Sequence, residues 1–462
     1  MLFLFSFLLW SLTCGSSLVW CLRLNTNTTE IFTTFPKLSI KACNLYTIDA
    51  AGVETALSAS ATNETCFRDG YIHKSPEDKY AYAVAYQIGT FGQNRTLTLV
   101  ESSPRTQTQP RVIQYQYDKP GDNISILHPR LFDLVEKKQN NINNDFIGNI
   151  DSIEDVQWGF RNHTYRYMIA DRGFQGLRMV EVDTSGNSRV LVEERIEKGI
   201  DLYEKIAERN GWNSIYLVNT TRVNGRDTPT EDSIRQVTTG EFDVYDVIRV
   251  DEKAQVLYFR ARGMVKEQSP YHMHLARINF DGSGFEILTD GDGYHRNTFR
   301  SDNTFEDIWS RVDLPLQEVD NQVWDKITLP ERFSAPGRDG ETPIWGIIVR
   351  PKTFDPAKRY RVLERVYPGP QNCYTPQDLT NATMWDLALA FQKVADDNDV
   401  IVVQSDGMGT SWRGRAFRDV AWHNLQEAGF PDRIAWIKAA AKDRPYMDLE
   451  GGVGIYGTSA VG

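Results

Sequence analysis

The chain has 462 residues, enough for two or three domains with apolar cores, which excludes a disulfide-stapled miniprotein. Lys and Arg number 51 against 62 Asp and Glu, and the net charge of -11 gives no general attraction to nucleic acid or an anionic membrane. Hydrophobic residues at 41% and charged residues at 24% are those of a folded chain, and 11% aromatic residues lean towards β structure.

Residues 2–22 carry no charge, and the run from Leu2 to Leu12 has the length of a signal-peptide apolar core. Residues 1–22 are therefore expected to direct export, placing the protein outside the cell. No Lys or Arg precedes the run and the uncharged stretch approaches the ~20 residues of a membrane span, so a single-pass type II anchor is the alternative. Export would offer seven Asn-x-Ser/Thr sequons for glycosylation, at Asn27, Asn63, Asn94, Asn123, Asn162, Asn219 and Asn381. Cys14 and Cys21 lie in the leader. Of the rest, Cys43 and Cys66 either form one disulfide or stay isolated buried thiols, and Cys373 is left over, since an odd count does not fix pairing.

From about Tyr80 to Leu314 the sequence reads as short strands separated by turns. Residues 80–89, 96–101, 177–183, 214–219, 256–263 and 274–282 alternate apolar and polar positions. Segments 178–194 and 274–290 share a strand, an Asp, a Ser-Gly turn and a second strand; Asp183 and Asp281 mark a spacing of about two units of ~40 to 50 residues. That repeat predicts a β-propeller, with a β-sandwich as the alternative. After Asp339-Gly340 the pattern changes. Residues 343–351, 361–370, 400–409 and 452–457 are apolar β-branched runs of buried strands, and 430–442 is a helix with Pro431 in its first turn and Ile434, Ile437 and Ala441 at helical spacing. Strands alternating with a helix predict an α/β layer with a mostly parallel sheet.

The chain's last residues run from an apolar strand into Gly457-Thr458-Ser459, the front of a nucleophile elbow. Such a sharp turn exposes a Ser hydroxyl above a sheet and aims the next backbone N–H at an oxyanion. The full Gly-x-Ser-x-Gly pattern would have Gly where Val461 stands. On this motif alone, a structural turn and a nucleophile are equally good readings.

In chain order GRDGETPIWGIIVRPKTFDP, VYPGP, QSDGMGTS, AFRDVAWHNLQEAGFPDRIAWIKAAA and VGIYGTSA resemble the catalytic domain of dipeptidyl peptidase IV-like enzymes of the prolyl oligopeptidase family of serine peptidases. Upstream, DRGFQGLRMVEVD, RNGWNSIYL and YHMHLARINFDGSGFEILTDGDGYH resemble that family's N-terminal propeller. The resemblance implies a multidomain β plus α/β chain: an extension over 23–79, a β-propeller over 80–330, and over 331–462 the first part of an α/β-hydrolase domain, cut off after the nucleophile elbow. It implies that Ser459 is the nucleophile, that the backbone N–H of Ala460 is one oxyanion donor, and that the Tyr367 hydroxyl is the other. Read from its neighbours alone, Tyr367 is more readily a core aromatic beside Pro368 and Pro370 than an oxyanion donor. Glu193 and Glu194 are an acidic pair available for a substrate's amino terminus, or else solvated surface.

The family orders its triad Ser, Asp, His, whereas all seven histidines here precede Ser459; His423 is the nearest substitute base but matches a non-catalytic helix position. The expectation is a dipeptidyl peptidase-like serine hydrolase acting on peptides through an acyl-enzyme, present as an inactive fragment, and able to form a homodimer. A non-catalytic propeller that binds a partner is the alternative, favoured by Val461. No cofactor and no metal are expected, since His272 and His274 lack a Cys or carboxylate cluster at ligand spacing.

Overall fold

The computed structural model describes residues 2–5, 36–41, 44–59, 65–87, 96–116, 126–142, 150–158, 164–171, 173, 175–195, 208–219, 234–300, 304–314, 327–367, 369–378, 382–427 and 429–457. They fall into two compact units, one of Arg23–Ile200 and Thr220–Thr230, the other of Met1–Leu22, Asp201–Asn219 and Glu231–Gly462.

The first unit is built of antiparallel sheets. Ile150–Trp158, Tyr165–Asp171, Gly176–Val182 and Ser188–Arg195 follow one another as a four-stranded meander, the blade unit of a propeller. A second sheet orders Lys138–Asn140, Ile126–Asp133, Tyr80–Gln87 and Thr65–Lys74. The two pack through aromatic residues that alternation turns inward: the Tyr82 and Tyr165 rings stack with centroids 3.8 Å apart, beside Tyr167 and Trp158. On the meander, the buried Glu181 carboxylate holds Arg166 and Arg189 across two strands, at 2.5 and 2.7 Å.

The second unit repeats the meander with Asp243–Asp251, Val256–Arg262, Met273–Asn279 and Glu286–Ile287. The two repeats noted in the sequence are thus the same piece, the hairpin of strands three and four in each sheet. Their register differs from the expected one. Asn279 donates its N–H to Ser283 O at 2.9 Å just as Asp183 does to Asn187 O at 3.0 Å, so Asp183 matches Asn279 rather than Asp281. A shared Gly misleads less than a shared Asp here, because Gly186 and Gly282 both take a positive φ in equivalent turns. Of the apolar N-terminal stretch, Leu2–Phe5 pairs antiparallel with Tyr216–Asn219, and residues 6–22 lie outside the described residues.

The remainder of this unit is an α/β layer. Its sheet comprises β1 (Glu331–Pro336), β2 (Pro343–Val349), β3 (Tyr360–Val366), β4 (Ile401–Ser405), β5 (Met447–Asp448) and β6 (Gly454–Gly457). The order is β1-β2-β4-β3, with β5 and β6 both on the far edge of β3. β1, β2 and β4 pair antiparallel, whereas β4, β5 and β6 all run parallel to β3. The parallel character therefore centres on β3.

Alternation along these strands feeds two cores. Ile347, Val349 and Val402 pack with Ala388, Phe391 and Ala395 of α1 (Ala382–Asn398), a helix not anticipated although those three residues share a helical face. Ile344, Ile348, Ile401 and Val403 pack on the opposite face with Trp436, Ile437 and Ala440 of α3 (Phe430–Lys442), which follows the short α2 (Gly414–Arg418). The buried stripe of α3 is Arg433, Trp436, Ile437 and Ala440; of the expected Ile434, Ile437 and Ala441, Ile437 is buried and Ala441 packs partly buried against the core, whereas Ile434 is 51% exposed. Trp436 sets that rotation. Its ring lies so close to the sheet that a Cβ on Gly346 would come within 2.6 Å of it, and its indole N–H donates to Phe333 O at 3.1 Å.

Candidate active site

Three parallel strands deliver their carboxyl ends to one edge of the α/β sheet, the edge at which α/β folds place ligands. β3 ends at Val366 and is followed by Tyr367; β4 ends at Ser405 and is followed by Asp406 to Thr410; β6 ends at Gly457, two residues before Ser459 in sequence. Register fixes the level: Val366 lies opposite Gly457, and Glu364 opposite both Ile455 and Val403.

Tyr367 is half-buried and packs on Tyr374 with ring centroids 4.5 Å apart. Gly369 lets the rings close, since a Cβ there would meet Tyr367 Cε1 at 2.8 Å and the Tyr374 hydroxyl at 2.9 Å. Tyr374 is in turn held by Asp406, whose carboxylate accepts the backbone N–H groups of Tyr374 and Thr375, both at 2.8 Å. Burial pushes the Asp406 carboxyl up, and those two N–H donors oppose the shift. Asn372 accepts from the Ser411 N–H at 3.2 Å and the Trp412 indole N–H at 2.8 Å, stitching the loops after β3 and β4 together.

The first turn of α3 fixes the same loops. Gly407 and Gly429 cross with their backbones in contact; a Cβ on Gly407 would lie 2.7 Å from Gly429 Cα, and Gly429 sits at φ +75°. The fully buried Asp432 accepts the Met408 N–H and the Arg338 N–H, both at 2.8 Å, and also two guanidinium N–H groups of Arg338. Arg433, 1% exposed, donates to Glu364 Oε1 and to the Tyr367 carbonyl, each at 3.3 Å. Burial raises the Glu364 carboxyl and the Arg433 charge opposes it.

The structure thus gathers Tyr367, the Asp406 loop and the end of the strand leading to Ser459. Ser459 and Ala460 themselves lie outside the described residues. Glu193 and Glu194 are consecutive on an extended strand and turn to opposite faces: Glu193 is exposed and pairs with Arg195 at 2.8 Å, while Glu194 is buried. They do not converge as a clamp. His423 is exposed, at φ +53°, with its ring 4.6 Å from Trp422. His272 and His274 face different partners, Asp292 and Thr289. Cys43 and the Cys66 side chain lie outside the described residues, and the Cys373 thiol accepts from Arg262 at 2.7 Å. Six of the sequon asparagines also lie outside; Asn219 ends a strand. Among the described residues no helix is long and apolar enough to cross a membrane.

Sequence reasoning missed Arg433, Glu364, Asp432 and Tyr374. One signal was present: Asp432 and Arg433 stand in the first turn of a helix whose apolar residues are set to pack on the sheet, and charges on a buried helix face need partners.

Comparison with known proteins agrees in chain order. The profile described as "Dipeptidyl peptidase IV (DPP IV) N-terminal region" matches residues 92–316, and that of the "Prolyl oligopeptidase family" matches 385–462. The "Probable dipeptidyl-aminopeptidase B" of Aspergillus fumigatus is 26% identical over 399 residues, 77% of this chain and 42% of the relative. Its namesake in Ajellomyces dermatitidis is 30% identical over 243 residues, 46% of this chain and 24% of the relative. The chain therefore spans less than half the length of these relatives. Porphyromonas gingivalis dipeptidyl peptidase 4 has the same fold, with a TM-score of 0.70 over 92% of this chain and 63% of that one, at 17% identity. The two profiles in this order, and the relatives they agree with, make this chain similar to dipeptidyl peptidase IV-like members of the prolyl oligopeptidase family, with a propeller-type N-terminal region followed by part of a hydrolase domain.

Proposed function

We propose that the full-length protein is a serine peptidase that cleaves peptides near their amino terminus. Ser459 Oγ attacks the scissile carbonyl carbon while a general base takes its proton. The Tyr367 hydroxyl and the Ala460 N–H stabilise the oxyanion, the amine leaves with a proton, and water hydrolyses the acyl-enzyme to free Ser459. This fold's chain order puts the acid-base partners of the triad after the nucleophile. The observation that carries the proposal is Val366 opposite Gly457, which sets the strand leading to Ser459 against the one that leads to Tyr367.

The test is hydrolysis of an Xaa-Pro dipeptidyl amide by the full-length protein and its Ser459→Ala variant. A loss on the order of 10⁶-fold supports the proposal; turnover that survives the substitution overturns it. A simple ester as second substrate distinguishes a peptidase from an esterase on the same scaffold. Val461 favours a second reading, a non-catalytic propeller that binds a partner, which gains ground if neither substrate is hydrolysed. We further propose export directed by the apolar N-terminus, with glycans on the sequons.

A further inference from the structure

We infer that Arg433, braced by Glu364, is a positioning residue that sets the Tyr367 hydroxyl in the oxyanion site; this rests on the reading of Tyr367 given above. Arg433 is an unusual occupant of its place. It lies on the buried face of α3 with Trp436, Ile437 and Ala440, and is 1% exposed. Burying a guanidinium is costly unless its charge is paired and hydrogen-bonded, and the Arg433 Nε–H itself finds no partner among the described residues. Glu364 meets the charge from within β3, at 3.3 Å, and the second N–H group goes to the Tyr367 carbonyl, also at 3.3 Å.

Tyr367 directly follows the last β3–β6 pair among the described residues, Val366 with Gly457. By holding the Tyr367 carbonyl, Arg433 fixes the peptide plane next to the one from which the Tyr367 side chain departs. From the opposite side, the ring rests on Tyr374, which Asp406 holds by its N–H. The phenol is thus gripped by its own carbonyl and by its ring face, leaving the hydroxyl as the end with work to do. Preorganised donors help catalysis only when their position is set before the oxyanion forms. Positional errors of about 1 Å in such groups can cost about 100-fold in rate.

The experiment is a double-substitution cycle in the full-length protein, using Arg433→Gln, Tyr367→Phe and their combination, with kcat and KM read separately on the dipeptidyl amide. The expected result is a fall in kcat of about 10- to 100-fold for Arg433→Gln with KM nearly unchanged, and little further effect of Arg433→Gln once Tyr367 is Phe. Arg433→Lys keeps the charge beside Glu364 and is expected to recover part of the loss. If Arg433→Gln does not fold, Glu364→Gln takes its place in the cycle with the same expectation. Full additivity of the two substitutions, or a loss confined to KM, overturns the positioning role. Should Ser459→Ala leave kcat intact, the peptidase reading fails instead, and should Tyr367→Phe alone leave it intact, the oxyanion role of Tyr367 fails; each is told apart from a failure of the positioning role.

Discussion

Val366 lies opposite Gly457 in the parallel pairing of β3 with β6, so the strand leading to Ser459 ends level with the residue that precedes Tyr367. Two strand positions about ninety residues apart in the chain are thereby tied to one sheet edge.

Tyr367→Phe removes one hydroxyl and leaves the packing on Tyr374 in place. In the full-length protein kcat should drop ~10²- to 10³-fold, the range for losing one oxyanion donor. Thermal denaturation should show an unchanged midpoint. A fall in stability that parallels the loss of rate would make Tyr367 a core residue instead.

Arg418 and Glu208 form a buried pair with two hydrogen bonds, at 2.6 and 2.5 Å, joining α2 to a segment 210 residues earlier in the chain. Removing one partner strands the other charge away from water. Arg418→Ala should cost ~3 to 5 kcal/mol by denaturant unfolding, while Arg418→Met with Glu208→Met should restore much of it. If the single substitution costs under ~1 kcal/mol, the pair is not buried in solution.

Asp243 accepts the Asn213 and Gly414 N–H groups, at 2.9 and 2.8 Å, yet burial raises its carboxyl from 3.8 to about 6. The folded state then holds a proton that the unfolded chain has released, so this group favours folding at low pH and loses that contribution as pH rises from about 4 to 6. At roughly 1.4 kcal/mol per pH unit, the loss amounts to ~3 kcal/mol. The stability of Asp243→Asn relative to the parent should therefore climb across that interval; a flat difference between the two titration curves would sink the argument.

His274 behaves oppositely. Burial, with His295 and His272 nearby, lowers its imidazole from 6.5 to about 4, so between those values the unfolded chain takes up a proton the folded one refuses. Its contribution to stability is present above pH 6.5 and is lost as pH falls towards 4. Since Asp243 acts in the reverse sense over much of the same interval, the two offset in the parent. His274→Gln, measured by urea unfolding at pH 5 and pH 7, should lose the gain in stability that His274 gives on going from pH 5 to pH 7, so that its stability at pH 7 relative to pH 5 falls below the parent's. Equal pH sensitivity in both proteins would refute this.

Gly346→Ala places a methyl group 2.6 Å from both Trp436 Cζ2 and the Gln404 carbonyl. Neither a core indole nor a strand carbonyl yields cheaply, and a loss of ~1 to 3 kcal/mol is expected. Near-UV circular dichroism should report a displaced Trp436; an unaltered spectrum with full stability would show that the helix and sheet are less closely packed than the structure has them.

Much of this was legible in the order of residues. The alternation in TLTLVE or VLYFRARG is a local property of a half-buried strand, and it marked Thr96–Glu101 and Val256–Arg262 to within a residue. Helix α3 was likewise announced by Pro431 and by its periodicity. The errors are local rules outvoted by packing. Ile434 is as apolar as Ile437, but the large Trp436 ring takes the groove over Gly346, turning Ile434 out and Arg433 in. Asp281 looked like the partner of Asp183 because both precede a Ser-Gly turn, whereas hydrogen bonding matched Asp183 with Asn279.

By itself, the sequence determined the strand and helix pattern, the change from β to α/β near Asp339, and the motif order that identifies the family, because hydropathy period and turn chemistry act over a few neighbouring residues. Only the tertiary structure decided that β6 lies beside β3, that Arg433 reaches the Tyr367 carbonyl, and that Asp406 and Asp432 hold the loops at the sheet edge. The reason is that a buried charge is stable only where distant segments supply its partners, and which segments meet is settled by burying the whole core at once.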